Sequence, residues 1–418
     1  MQYDLTVIGA GPAGLFCALH AAASGHRILL LEKMDAPGTK LLISGSGQCN
    51  ITHDGMIRDF LSHYGGHGKF IRPALLAFSN SDLLEFFNNH GLETATDGNG
   101  KVFPRTRRSS DVLRLLVRLC NDCGVALHTH EPADEITHGN RTFKITTSRA
   151  VYRSPFLVIA TGGMSYPATG STGDGYRLAA GMGHGITETG PALAPLCIKE
   201  FPFADLCGMS FSSMQFSLWR QGVKVVEKTG DVLFTHQGLS GPGILDCSRS
   251  VRSGDIIRLS FIGSGRRDEF ARTFTERIHA QGASHVKSVL SSYNIPARLV
   301  RKILDRAGIP SGCTCAHLSA SHRSRLIQYL SGFPLTIAAP GDFSVAMVTR
   351  GGVSLEEVNP KTMESRKVKN LYFAGEVLDI DGDTGGYNLQ AAFSTGMLAA
   401  QSIIKKFDRE MYTDPPCS

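Results

Sequence analysis

Long apolar runs are missing from this 418-residue chain. None approaches the ~18 consecutive apolar residues of a membrane-spanning helix, which argues against a helical membrane protein. No signal peptide is expected ahead of the first structural motif, which begins at Asp4, so the expected location is cytoplasmic. Charged residues make up 19%, aromatics 8% and hydrophobic residues 42%, with a mean hydropathy of −0.05. That balance excludes a disordered chain or a collagen-like repeat and fits a globular protein. The length suggests two or three domains.

A disulfide framework is missing too. The ten cysteines (17, 49, 120, 123, 197, 207, 247, 313, 315 and 417) are scattered through a large chain. Cys120 and Cys123 form a CxxC, but no second CxxC lies at zinc-ribbon distance, and Cys313–Cys315 is a CxC. Small buried thiols closing a helix are the expectation for the former, and no metal is expected. Net charge is only +6, yet it is uneven. Residues 191–348 hold 18 Lys/Arg against 11 Asp/Glu, a net of +7, which leaves the remainder at −1.

What the chain does contain begins at its N-terminal end. Asp4–Ile8 reads as a short apolar strand, followed by the turn Gly9-Ala-Gly11-Pro12-Ala13-Gly14 and an Ala/Leu-rich helix closed by Gly25. A second strand, Arg27–Leu31, ends in Glu32, 18 residues past Gly14. In a dinucleotide-binding unit, Gly9 permits the tight turn, Gly11 lets the backbone approach a pyrophosphate and Gly14 lets helix and strand pack closely. The helix N-terminus presents amides and partial positive charge to phosphates, and Glu32 stands where a carboxylate binds ribose hydroxyls.

The far end of the chain separates FAD from NAD. Leu371–Phe373 reads as a strand breaking into Ala374-Gly375-Glu376, then Asp381–Gly386, then Tyr387-Asn388-Leu389-Gln390 and a small-residue helix over 391–400. Such a unit brings a helix N-terminus to a flavin ring, with Glu376 facing the ribityl chain. Phe156–Ile159 is a third strand, ending in Ala160-Thr161-Gly162-Gly163. Together these segments resemble the FAD-binding fold of the glutathione-reductase type.

Further motifs narrow the resemblance. They are Lys40 through Ser44-Gly45-Ser46-Gly47-Gln48-Cys49-Asn50 to Thr52, Ala160–Pro167 with Gly170–Gly175, Thr235–Pro242, Thr349–Val353, and Gly375–Asp379 with Gly385–Gln390. This combination resembles the BaiN/RdsA family of FAD-binding oxidoreductases, also called the aminoacetone-oxidase family, over residues 4 to about 405. One departure is Gln48, where the family usually has arginine, so a fixed charge near the flavin is lost.

The resemblance implies an α/β fold: a glutathione-reductase-type FAD-binding Rossmann domain interrupted by an inserted β-barrel-like plus helical domain. The expected parts are 1–190 and 349–418 for FAD and 191–348 for substrate, with 191–265 β-rich and 266–332 helical. FAD is expected to be non-covalent. Its expected contacts in the first half are Gly9, Gly11, Pro12, Ala13, Gly14, Glu32 and Lys33. The following loop supplies Lys40, Ser44, Gly45, Cys49 and Asn50. Ala133, Ala160, Thr161 and Gly162 come from the middle of the chain, and Gly375, Glu376, Gly386, Asn388, Leu389 and Gln390 from the last segment.

Flavin supplies hydride or electron transfer. Cys49 has no CxxxxC partner, so a glutathione-reductase-type disulfide mechanism is excluded, and no second strand–GxGxxG–helix follows. NAD(P)H, as reductant, would therefore dock transiently. His236 is a candidate acid or substrate binder, with a hydrogen-bonded structural role as the plainer reading. Cys49 is a candidate proton donor or a residue packed under the flavin. Tyr166, a third catalytic candidate, and Tyr387 are candidates to stack on or line the site, against core packing as the default. Arg298, Arg301, Lys302 and Arg306 share one face of an expected helix within the basic stretch 266–325. They are either an rRNA-binding surface or a solvated face. One branch of the family resembles synthases of dihydrouridine in large-subunit rRNA. Three catalytic readings stay open: reduction of uridine in rRNA, oxidation of a small amine such as aminoacetone by O2, and reduction of a small enone- or ketosteroid-like molecule.

Overall fold

The computed structural model describes residues 1–263 and 267–413, with side chains up to 408. The expected 265/266 boundary and Arg266 lie outside the described residues. The chain divides into two compact units, one formed by 1–192 with 343–418 and the other by 193–342.

The first unit is built on a five-stranded parallel sheet. β1 (Leu5–Ile8) lies at its centre and pairs with Phe156–Ile159 on one side and β2 (Ile28–Leu31) on the other. Leu371–Phe373 and Ala126–His128 complete the edges. The strands are nearly continuous apolar runs (LTVI, ILLL, FLVI) whose residues are all buried, as a parallel sheet covered on both faces requires. α1 (Pro12–Ala22) buries nearly all of its length, with Pro12 at a first-turn position where a missing N–H is harmless. The C-terminal helix, Tyr387–Thr413, starts four residues before the expected 391 and packs on α1 through small residues. An added Cβ on Gly396 would stand 2.5 Å from the Ala13 carbonyl oxygen. A three-stranded antiparallel sheet (133–139, 142–147, 151–154) alternates buried and exposed residues, so one face is packed.

The second unit has its own core around a closed six-stranded barrel. Its strands are Leu196–Ile198, Ser210–Arg220, Val223–Phe234, Gly238–Ser240, Ile256–Leu259 and Phe333–Pro340. Val223–Phe234 is one continuous strand, because Gly230 packs against the Gly243 backbone instead of turning. One detail differs from the expectation of a β-rich part confined to 191–265. The barrel is completed by Phe333–Pro340, which follows the helical stretch, so the sheet cannot close within 191–265. The helices are Pro242–Ser248, Arg267–Ala280, Val286–Ser291, Ala297–Ala307 and Ala320–Gly332. Gly308, at φ +75°, stops Ala297–Ala307 in the left-handed conformation that favours glycine.

Candidate functional site

In the first unit the three glycines of the first turn meet three different surroundings. Gly9 sits at φ +100°, and a Cβ there would lie 2.6 Å from the Ala160 carbonyl oxygen. A Cβ on Gly14 would lie 1.8 Å from the Gly9 carbonyl oxygen, so that position tolerates no side chain. Gly11 has nothing within 4 Å of its Cβ direction, which leaves the head of α1 open. The first-turn amides of a helix lack intrahelical acceptors, and no acidic side chain lies in this turn to satisfy them. The arrangement suits an anionic phosphate.

Glu32 leans over the same turn. Its Oε2 accepts from the Ala10 amide at 2.9 Å and its Oε1 from the Met34 amide at 2.9 Å. Each oxygen retains a lone pair for a hydroxyl donor. Lys33 is engaged elsewhere, donating to Thr172 and to Asp174 at the head of the helix Asp174–Gly181.

A second cluster joins residues far apart in sequence. Lys40 Nζ contacts Glu376 Oε2 at 2.7 Å, and both side chains are only about a fifth to a quarter exposed (24% and 20%). Glu376 Oε1 also accepts from the Thr349 amide at 2.8 Å. The Thr349 hydroxyl accepts from the amides of Met164 (2.8 Å) and Ser165 (3.1 Å). Gly163 passes beneath, since a Cβ there would strike Thr349 Oγ1 at 2.5 Å and approach Glu376 Oε1 at 3.0 Å. Gly375 stands against Ala13, where a Cβ would be 2.9 Å from the alanine methyl. The loops after β1, after Phe156–Ile159 and after Leu371–Phe373 thus converge with Lys40.

The loop 44–50 completes this region. Gly45, Ser46 and Cys49 all adopt positive φ (+55°, +57°, +58°), and a Cβ on Gly45 would lie 2.8 Å from the Asn50 amide. Non-glycine residues held in that conformation mark strain, which concentrates at functional loops. Asn50 Oδ1 is buried without a hydrogen-bond partner among the described residues, an acceptor whose desolvation they leave uncompensated. Together with the open head of α1, it fits a bound group that carries donors, as FAD does. Gln48 lacks the charge expected at its position, but Arg107 Nη1 donates to its Oε1 at 3.3 Å while the guanidinium lies 4.0 Å over Phe103.

Other expected residues have different surroundings. The Gln390 side chain is fully buried, accepting from Thr52 and donating to Phe78 and Ser394. Asn388 bonds both the amide and the carbonyl of Gly382. Leu389 packs on the core, so from this stretch the main chain is the part that can face a ligand. Gly386, at φ +100°, crosses the Thr52 backbone, where a Cβ would be 2.5 Å away. Ala160, Thr161 and Gly162 follow the strand Phe156–Ile159. Ser44 donates to Leu41, and Ala133, at the start of its strand, accepts from Arg177.

Cys49 is completely buried, and burial pushes its thiol up to about 12. It stays protonated at neutral pH, which fits packing or a weak S–H donor better than thiolate chemistry. Tyr166 is half-buried at φ +55°, and its amide donates to Phe343. Tyr387 is buried and stacks with His63 and His53. His236 is exposed in the bend between two barrel strands of the second unit. On Ala297–Ala307, Arg298 donates to the Asp205 carbonyl oxygen and Lys302 pairs with the Asp205 carboxylate at 3.0 Å. Arg301 and Arg306 are exposed and make no ion pair among the described residues. Thr349 and His63 were assigned no role from sequence, because their partners lie 185 and 320 residues away and no local spacing encodes such pairs.

Residues 3–402 match the family described as the HI0933-like protein Rossmann domain. The chain is 30% identical over 408 residues to the 3-dehydro-bile acid delta(4,6)-reductase of Clostridium scindens, covering 96% of this chain and 98% of that protein. It is 29% identical over 403 residues to the ribosomal RNA dihydrouridine synthase of Escherichia coli K12, with the same coverage, 96% and 98%. Among solved structures it is similar in fold to the 3-ketosteroid delta1-dehydrogenase of Sterolibacterium denitrificans, at a TM-score of 0.53 and 11% identity over 97% of this chain and 100% of that one.

Proposed function

The chain belongs to the HI0933-like family and is an FAD-dependent oxidoreductase, and from that premise we propose that it catalyses NAD(P)H-driven reduction of a C=C bond activated by a neighbouring carbonyl. The proposed substrate is uridine in large-subunit rRNA, and the product dihydrouridine. FAD, when bound, supplies the hydride-transfer chemistry. The chain's own residues bind and orient. The amides at the head of α1 hold the pyrophosphate, Glu32 accepts from ribose hydroxyls, and Asn50 Oδ1 takes a donor that the protein itself does not provide. The Lys40–Glu376 pair, anchored through Thr349, fixes the loops around that position. The first unit is the FAD-binding domain in this reading and the second the substrate domain, in a cytoplasmic enzyme.

The observation that carries the reaction class is the end-to-end match to relatives whose names both describe saturation of a C=C bond, one in a 3-dehydro-bile acid and one in uridine. The charge of the second unit supports RNA. The basic stretch contains Arg301 and Arg306, exposed and without an ion pair among the described residues, as a polyanion would use. A small conjugated ketone is the second reading, favoured by the 30% identity to the bile acid reductase. Incubating the protein anaerobically with NADPH and unmodified rRNA, then digesting the RNA for mass spectrometry, tests the proposal. Dihydrouridine at a defined position supports it. Unchanged rRNA together with turnover of a 3-keto-4-ene steroid installs the second reading, and flavin reduction by aminoacetone in place of NAD(P)H installs an oxidase.

A further inference from the structure

The turn 381–387 that leads into the C-terminal helix is glycine-rich, with Gly385 at φ +128° and Gly386 at φ +100°. Glycine loses more conformational freedom on ordering than any other residue, so such a turn needs external restraint. The restraint comes from a short helical stretch far away in sequence, Asp59–His67, where the chain reverses at Gly65 (φ +53°). His63 touches the turn in three ways. Its Nδ1 lies 3.1 Å from Asp383 Oδ2, its carbonyl accepts from the Asp383 amide at 2.9 Å, and its ring stacks on Tyr387 at 4.0 Å between centroids and 12° between planes. The next residue, fully buried Tyr64, donates its hydroxyl to the Tyr387 carbonyl at 2.8 Å. His53 also stacks with Tyr387, at 5.4 Å and 13°. Inside the turn, the Asn388 side chain ties down Gly382.

We propose that His63 is a positioning residue which, through Asp383 and Tyr387, sets the 382–387 turn and hence the main-chain groups at the head of the C-terminal helix for the flavin. This rests on the FAD reading above. The histidine touches no reacting atom. Its backbone holds Asp383 whatever the side chain, so the imidazole's own share is the contact to the carboxylate plus the stack. That share is separable by mutation. His63→Ala removes both contacts, and His63→Gln keeps a donor toward Asp383 without the ring.

The test is hydrogen exchange of amides 381–388 in the full-length apo protein, combined with FAD affinity and the flavin midpoint potential of the holoprotein. For His63→Ala the expected result is faster exchange confined to 381–388, by about tenfold or more. FAD binding should weaken by about tenfold and the midpoint potential should shift, with partial recovery in His63→Gln. Asp383→Asn, which keeps the side-chain size, should loosen the same amides and serves if the alanine variant folds poorly. Exchange at 381–388 within twofold of wild type in these variants overturns the clasp. A loosened turn with unchanged FAD affinity and potential overturns its reach to the flavin. A loosened turn in a protein whose wild type takes no FAD overturns the flavin reading and leaves the clasp standing.

Discussion

The two units solve different problems with the same kinds of residue. In the first, glycines let one backbone press on another from a distant segment, as Gly9 does on Ala160, Gly386 on Thr52 and Gly396 on Ala13. Those contacts gather loops around an open helix head and an unpaired Asn50 oxygen. In the second, the close approach of Gly230 and Gly243 seats the short helix Pro242–Ser248 on a barrel strand, and ion pairs such as Arg220–Asp255 and Lys302–Asp205 tie neighbouring segments together. The loops of the first unit converge on a site that suits FAD, whereas the second presents the positive charge of Arg301 and Arg306 at its surface.

The largest effect expected from this contrast is at Gly14. Gly14→Val drives a side chain into the Gly9 carbonyl, an overlap that exceeds the ~4–5 kcal/mol of the most damaging single substitutions. The purified protein should lose its flavin absorbance entirely. The single tryptophan, Trp219, lies on a barrel strand and should still report a folded second unit by fluorescence.

Next comes Asp255, whose side chain is 3% exposed and paired with Arg220 at 2.8 Å. Removing one partner of a buried pair costs about 3–5 kcal/mol, so Asp255→Ala should lower barrel stability by that amount in denaturant melts read at Trp219. Flavin absorbance under native conditions should stay unchanged. Burial alone would raise the Asp255 carboxyl, but the bonds from Arg220 and the Arg252 amide outweigh it and hold it below the usual range. A depressed folded value means the stabilisation is present above about pH 4 and is lost as pH falls through the folded value. The gap between wild type and variant should therefore close in acid.

Lys40→Met should weaken FAD binding by about tenfold, because it leaves Glu376 with only the Thr349 amide. On the second unit, replacing Arg301 and Arg306 together by alanine should reduce the salt slope of rRNA binding by about one per residue. Arg298→Ala and Lys302→Ala should do less, since Asp205 already engages both. Equal effects at all four positions would dissolve that distinction.

Much of the first unit was legible because its signal is local. The strand, turn, helix, strand and acid from Asp4 to Glu32 fall within one short stretch, and each glycine's spacing has a steric meaning. The pairing of Lys40 with Glu376 was not legible, although both were expected near FAD, because 336 residues separate them. Side-chain direction was hidden as well. Gln390 turns inward to Thr52 and Lys33 outward to Asp174, and neither follows from periodicity. In the second unit, the basic surplus could be counted from sequence, but its partial neutralisation by Asp205 could not. The barrel's last strand lies beyond four helices, where no alternation pattern links it to the others.

In the proposed reaction, flavin bound by the first unit passes its electrons to a C=C bond in RNA. Stopped-flow absorbance of the NADPH-reduced, anaerobic protein tests it most directly, following flavin reoxidation with O2 and separately with unmodified rRNA. The expected result is slow reoxidation by O2 and rapid, RNA-dependent reoxidation that leaves dihydrouridine in the RNA. Fast reoxidation by O2 with no response to RNA, in a protein whose flavin is reduced by small amines and not by NADPH, would contradict it.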